Sequence, residues 1–230
     1  MPHNDSDYKP YPELAPIFKS YEALRDAADA IFSRVEQTYP HCVKCAPGCS
    51  DCCHALFDLP LVEAMYINRA FKDAFPHGRE RSDILEKAAD ADRRLAKTKR
   101  DMFRAERAGT STEELMNETA SLRMRCPLLN AKNECSLYDK RPITCRLYGA
   151  PLDIGGKGHV CGFSGFNPGE PYPTARLEKI QSRLDQLGGE IEKILKSRFR
   201  LTDIYMPLSM ALLTDYDDKF LGVGEEQPEK

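Results

Sequence analysis

The chain has 230 residues, of which 41% are hydrophobic and 30% charged, and it contains nine cysteines but no tryptophan. Its 33 basic and 36 acidic residues give a net charge of −3, which argues against nucleic acids and anionic membranes as partners. No apolar stretch reaches the roughly 20 residues that span a bilayer, and the start of the chain lacks the basic and apolar segments of an export signal, so we expect a cytoplasmic protein.

The first region, residues 1–41, is predicted to be an N-terminal arm and a helix. Four prolines among polar residues indicate an extended arm over 1–16. From Tyr21 to Val35 apolar residues recur every three or four positions, which predicts a helix that ends before Pro40.

Helices are also predicted between two groups of cysteines, as an insertion over about 60–123. Apolar spacing indicates one helix over 60–75. Residues 79–107 are mostly charged, which favours a long solvated helix. Nucleic-acid binding by its basic residues is the less favoured alternative, because aromatic residues for stacking do not alternate with them. A further helix is predicted over 112–123.

A heptad-like seam marks the last region, 167–230, and predicts a helix over 174–199. The apolar residues of the seam are Leu177, Ile180, Leu184, Leu187, Ile191 and Ile194. The seam either packs inside the protein or contacts a protein partner or a second copy. Gly188 and Gly189 should weaken the helix, and the acidic tail after Gly222 is expected to be disordered.

The cysteines are the most informative feature of the sequence. The first group is Cys45, Cys49, Cys52 and Cys53, preceded by Cys42, and the second is Cys126, Cys135, Cys145 and Cys161. Clustered thiols in a reducing compartment indicate metal binding rather than disulfides. Eight thiolates suit either two four-cysteine zinc sites or iron–sulfur centres.

Neighbouring side chains point in different directions, so the pair Cys52–Cys53 is expected to divide between two centres, or between a centre and its surroundings. The short first group and the pair Cys126–Pro127 favour an iron–sulfur cluster, with zinc as the alternative. Four arginines flank the second group and are expected to offset thiolate charge and hydrogen-bond to sulfur. They are Arg123, Arg125, Arg141 and Arg146.

Other polar and aromatic residues near the cysteines have weaker claims to a role. The less favoured additional ligands are His41, His54 and His159. Tyr138 and Tyr148 are expected to pack around the centre.

The order of these motifs resembles the YkgJ-type cysteine-cluster family, a bacterial family described as a zinc- or iron-chelating domain. The first motif runs from Cys45 to Cys53 and is followed by a helix with Glu63–Ala64, and the second includes Arg141–Pro142. The resemblance implies metal binding but hardly any particular activity. The implied ligands are Cys45, Cys49, Cys52, Cys53, Cys126, Cys135, Cys145 and Cys161, with Cys42 as an extra thiol.

Two other classes of function remain open. One is a metal-dependent enzyme: the spacing of Cys45, Cys49 and Cys52 is similar to that of radical S-adenosylmethionine enzymes, and a relative of the family, flagellin lysine N-methylase, transfers methyl groups. Against it, position 51 is Asp rather than an aromatic residue, and the glycine-rich loop 155–158 follows no convincing strand. The other is a zinc-stabilised interaction scaffold.

The sequence therefore predicts a mainly α protein with little or no sheet, since alanine and leucine outnumber β-branched residues. An irregular, cysteine-rich metal-binding domain over 42–166 is expected between flanking helices.

Overall fold

A computed structural model of the chain describes residues 11–111, 114–115, 122–167 and 169–224. Helices dominate these residues, and the strands are only two or three residues long, so the predicted mainly α fold is confirmed. Within the described part of the chain, no helix is long and apolar enough to cross a membrane. Residues 1–10 of the predicted arm and most of the tail after Gly222 lie outside the described residues.

The first long helix, α1 (Ala15–Thr38), packs one apolar face onto the protein. Tyr21, Ala28 and Val35 are buried on it, each seven residues after the last, which is the spacing of one helical face. The extended arm is wrong for residues 11–16. A 3₁₀ turn at Pro12–Leu14 precedes α1 there, and Tyr11, Leu14 and Ala15 are buried in the core.

Two helices fill much of the insertion between the cysteine groups, as predicted. The first, α2 (Leu61–Ala74), is buried along most of its length. The second, α3 (Arg79–Arg107), has its buried residues only between Ile84 and Leu95 and is otherwise solvated. The helix predicted over 112–123 lies mostly outside the described residues.

A short helix, α4 (Ile143–Leu147), lies within the second cysteine group, and α5 (Leu177–Leu195), α6 (Leu208–Leu213) and α7 (Asp218–Leu221) follow it. Of these, α5 is shorter than the predicted 174–199. It starts after a strand and ends at Lys196, which adopts a left-handed conformation. The helix continues through Gly188 and Gly189.

The seam of α5 faces the chain's own core. Leu184, Leu187 and Ile191 are buried there, whereas Ile194 is 40% exposed. The central part of the seam therefore packs inside the protein, which was one of the two predicted alternatives. Self-association through the seam stays a prediction.

In the described residues, short strands form two small sheets: β1 (Asp58–Pro60), β2 (Leu152–Ile154), β3 (Lys157–His159), β4 (Ala175–Arg176) and β5 (Tyr205–Pro207). β1 pairs antiparallel with β5, while β2 lies between an antiparallel β3 and a parallel β4. Gly155 and Gly156 form the β2–β3 turn with positive φ angles, which glycine adopts readily. The loop considered for a cofactor is thus a hairpin turn, since a strand and not a helix follows it.

The main apolar core draws on the whole described chain. Leu14, Ile67 of α2, Leu147 of α4 and Leu187 of α5 are all fully buried in it. Residues from the three predicted regions therefore pack together, and the boundaries between those regions stay a prediction.

Candidate metal centre

The two cysteine groups lie side by side because their backbones pair. The N–H of Cys126 donates to the carbonyl of Cys53 over 2.7 Å, and that of Met124 donates to His54 over 2.9 Å. Arg123 forms an antiparallel bridge with Ala55, where a helix was predicted. These bonds bring cysteines that are remote in sequence into one site.

Tight turns shape the first group. The N–H of Cys49 donates to the carbonyl of Ala46 over 2.9 Å, and Gly48 between them has a φ of 90°, which favours glycine. A 3₁₀ helix at Asp51–His54 then carries Cys52 and Cys53. The thiol of Cys53 donates to the sulfur of Cys52, so the division of this pair between two centres stays a prediction.

The second group uses a different element for each cysteine. A bridge between Leu129 and Cys135 folds the chain back so that Cys126 and Cys135 are close neighbours. Cys145 lies in α4. Cys161 follows β3, and its thiol lies 3.5 Å from Asp51 Oδ2.

All eight predicted ligands line one cavity of about 1030 Å³. Cys42 does not line it, and neither do the three histidines considered as additional ligands. All nine cysteines are free thiols. The structure thus brings together the set implied by the family resemblance and separates the extra thiol from it.

The thiols fall into two neighbouring sets. We call Cys52, Cys53, Cys126, Cys135 and Cys145 the inner thiols, and Cys45, Cys49 and Cys161 the outer thiols. Within the inner set, the thiols of Cys53 and Cys145 both hydrogen-bond to the sulfur of Cys52. The pKa of Cys45 is instead raised by the nearby thiols of Cys49, Cys161 and Cys52, and both Cys45 and Cys49 are exposed.

Burial and crowding change the proton affinity of these thiols. Burial raises the pKa of Cys45 to about 11 and that of Cys126 to about 12, and neighbouring thiols add to both shifts. The pKa of Cys145 is raised by its hydrogen bond to Cys52 and by burial. The pKa of Cys52 is lowered because it accepts those hydrogen bonds. A metal ion that binds here therefore displaces protons from several of its ligands.

The flanking arginines contact oxygen atoms and act on the thiols through their charge. Arg141 lies 3.9 Å from the ring centroid of Tyr138 and donates to that residue's carbonyl over 3.1 Å. Arg146 is 4% exposed and bonds to Asp29 and to backbone carbonyls. Burial raises the pKa of Cys135, and the charges of Arg141 and Arg146 oppose that rise. Their hydrogen bonding to sulfur stays a prediction.

Tyr138 and Tyr148 were expected to pack around the centre, and their positions agree with this in part. Both line the cavity. The side chain of Tyr138 is 61% exposed at its edge. The hydroxyl of Tyr148 accepts a hydrogen bond of 3.3 Å from Arg123.

Sequence reasoning missed two residues that shape the outer set. Asp51, whose side chain is 10% exposed, pairs with Arg123 and contacts the thiol of Cys161. Its position inside the Cys49–Cys52 spacing was the available signal. Gly149 lies so close to Cys45 that a Cβ there would be 2.2 Å from its sulfur. No sequence pattern marks that approach.

The chemistry of the donors fits a metal centre. Among the described residues, no three Cys, His, Asp or Glu side chains are arranged to hold a metal ion as they stand. The cavity nevertheless presents eight thiols and a glycine that leaves room for one of them. Soft sulfur ligands of this kind suit zinc and iron–sulfur clusters. Binding would require the sulfurs to converge further.

A comparison with protein families gives a match over this same part of the chain. The family model described as "CxxCxxCC: Putative zinc- or iron-chelating domain" matches residues 44–162, which is more than half of the 230 residues. The matched range contains all eight cavity cysteines and excludes Cys42. No match was found among curated proteins or among solved structures.

Proposed function

Because the chain belongs to the CxxCxxCC family of zinc- or iron-chelating domains, we propose that its eight cavity cysteines hold a metal centre. The observation that carries this proposal is their common place: all eight line one cavity, and the ninth cysteine does not. Nine free thiols suit a reducing compartment, so we also propose that the protein works in the cytoplasm.

The ligands divide between two centres, and the division falls between Cys52 and Cys53. Cys53 belongs with Cys126, Cys135 and Cys145. Cys52 contacts that set but also neighbours Cys45, so it completes the outer thiols as their fourth ligand.

Iron–sulfur chemistry is the preferred form of the centre, with zinc as the alternative. The compressed run from Cys45 to Cys53 and the remote Cys126–Pro127 pair are similar to ferredoxin ligation. When bound, iron–sulfur clusters would supply electron transfer, whereas zinc would cross-link the loops.

The chain's own residues compensate the charge of such a centre. Eight thiolates concentrate negative charge, which is costly to bury without nearby cations. Arg141 and Arg146 line the cavity beside the inner thiols, and Arg123 pairs with Asp51 beside Cys161. Each set of ligands therefore has at least one guanidinium close to it.

Metal and sulfide analysis of anaerobically prepared protein tests the proposal. Wild-type protein reconstituted with ferrous iron and sulfide should contain acid-labile sulfide and show thiolate-to-iron absorption. Cys126→Ser and Cys49→Ser, one from each set, should each lose about half of the bound iron if each set of four holds one centre. Cys42→Ser is the matched control and should lose none.

Each other outcome has a defined meaning. Loss of all iron in both variants would indicate one shared centre instead of two. Colourless protein with stoichiometric zinc would show that the centre is zinc and not an iron–sulfur cluster. Wild-type protein that retains neither metal would contradict the proposed function.

A further inference from the structure

A buried carboxylate lies behind the inner thiols. Glu63 of α2 is 1% exposed, and its neighbours Val62 and Ala64 are fully buried apolar residues. Burial of a carboxylate costs free energy unless hydrogen bonds replace those it makes with water. An apolar side chain would avoid that cost, so the hydrogen bonds of Glu63 indicate what it does.

Glu63 joins three helices through one oxygen atom. Its Oε1 accepts hydrogen bonds of 2.8 Å from the hydroxyl of Tyr21 in α1 and from the backbone N–H of Ile143. Ile143 is the first residue of α4 and lies two residues before Cys145. The first N–H groups of a helix lack partners within it, and Pro142 provides no side-chain cap. Glu63 therefore supplies an acceptor that α4 lacks.

A second buried charged side chain holds the other side of α4 through hydrogen bonds. Arg146 donates to Asp29 of α1 over 2.5 Å and to the carbonyl of Arg141 over 2.9 Å. It also bonds to the carbonyl of Asp139. The helix that carries Cys145 is thus attached to α1 and α2 through two buried ionisable side chains.

We propose that Glu63 is a positioning residue of the metal centre, which fixes the start of α4 and thereby holds Cys145 beside Cys52. A helix of five residues has little stability of its own, so its place depends on the groups bonded to its ends. The proposal rests on the proposed function, in which Cys145 is a ligand.

Cobalt(II) titration of the metal-free protein tests this role. The thiolate-to-cobalt absorption reports how many sulfurs bind, which a loss of stability alone would not change. Glu63→Leu should weaken cobalt binding about 10–100-fold, the range for residues that orient metal ligands, and lower this absorption per cobalt. Glu63→Gln keeps an oxygen that accepts both bonds and should bind like wild type. Asp73→Leu, which replaces an exposed acid of α2 outside the cavity, is the control.

Variants of Ile143 remove the donor instead of the acceptor. Ile143→Pro deletes the N–H at a helix position that tolerates proline. The ψ of 156° at Pro142 also suits a residue that precedes proline. Ile143→Ala shortens the same buried side chain but keeps the N–H, so the Pro variant should bind cobalt more weakly than the Ala variant. In the Glu63→Leu background the two should bind equally, because the acceptor is already absent.

The outcomes separate this proposal from the proposed function. Equal cobalt affinity and absorption in wild type, Glu63→Leu and both Ile143 variants would overturn the role of Glu63. If Glu63→Leu loses its helical circular dichroism, the Ile143 pair decides alone, and equal binding by its two members overturns the role. Wild-type protein that binds neither cobalt through sulfur nor an iron–sulfur cluster would instead contradict the proposed function.

Discussion

The main core and the cysteine-lined cavity are held together in different ways. Long helices with apolar faces build much of the core, and α1, α2 and α5 contribute half of the largest fully buried side chains of the described residues, among them Tyr21, Phe71 and Leu187. The thiol-bearing part of the cavity wall consists of turns, isolated bridges and the short helix α4, while α1 and α3 contribute other lining residues. The core can form through apolar burial alone, whereas the cavity wall brings together thiols with little regular structure. From this difference we expect bound metal to stabilise the cavity wall more than the core.

The two regions meet along one side of the cysteine loops. Leu128, Leu137 and Ile143 come from the second cysteine segment, yet they are buried in the main core. The backs of these loops are therefore anchored by apolar contacts, and Cys126 and Cys135 also pack against the same core. This arrangement limits how far the loops can move without metal.

Metal removal should give the largest effect and should separate the two regions. After chelation or oxidative loss of the cluster, we expect protease cleavage within residues 45–161, while the helix around Leu177–Ile194 stays helical. Structural zinc sites contribute roughly 10–16 kcal/mol of apparent binding free energy in small peptides, so their loss is large. Limited proteolysis with mass spectrometry and far-UV circular dichroism, before and after removal, provide the measurement.

The control for this experiment is the same protein after the metal is restored. It should recover its protease resistance. If metal-free protein resists proteases throughout 45–161, apolar anchoring alone stabilises the cavity wall. The contrast between the regions would then be wrong, and the cysteines would have to be explained by their reactivity.

A single methyl group at Gly149 should disturb the outer thiols and spare the core. A Cβ at Gly149 would lie 2.2 Å from the sulfur of Cys45, so Gly149→Ala must displace that thiol. We expect metal loss like that of Cys45→Ser, with helical content unchanged. Gly158→Ala is the matched control, because nothing lies within 4 Å of its Cβ position. Metal analysis of the three variants tests this, and full metal content in Gly149→Ala would show that Cys45 is no ligand.

The helices of the core could be predicted from the sequence, whereas the strand pairing could not. The helices of the core have regular apolar spacing, and the helices expected over 60–75 and 79–107 are found as Leu61–Ala74 and Arg79–Arg107. Strand pairing was not predictable, since β1 and β5 are far apart in sequence and too short for a periodic pattern. Residues 11–16 read as an arm in the sequence, because prolines interrupt the apolar residues that the core buries and leave no periodic spacing.

At the site, the sequence indicates which residues belong together but not what holds them. Eight cysteines were selected by spacing and resemblance, and all eight line the cavity. The contacts of Glu63 with Ile143, and of Gly149 with Cys45, join residues remote in sequence. Such contacts depend on how helices and loops pack, and no local pattern records them.

High pH should destabilise the metal-free protein through its buried thiols. The pKa of Cys126 is raised by burial from about 9 to about 12 in the folded protein. The folded state therefore holds this proton more tightly than the unfolded state, and stability decreases as the pH rises above about 9, up to about 12. Urea unfolding of metal-free wild type and Cys126→Ser across this range isolates the contribution. An identical decrease in both would contradict it, and metal-loaded protein should lack this contribution because its thiol is already deprotonated.

Replacement of Cys42 should give the smallest effect, because Cys42 belongs neither to the main core nor to the cysteine-lined cavity. It does not line the cavity, and it packs against a small apolar cluster that includes Val43 and Phe166. Its carbonyl accepts a hydrogen bond of 2.8 Å from Gly165, which a serine backbone would also accept. Cys42→Ser should therefore keep the full metal content and lose on the order of 1 kcal/mol of stability, because a hydroxyl replaces a small apolar thiol. Metal analysis and urea unfolding beside Cys45→Ser make the test, and metal loss equal to that of Cys45→Ser would place Cys42 among the ligands.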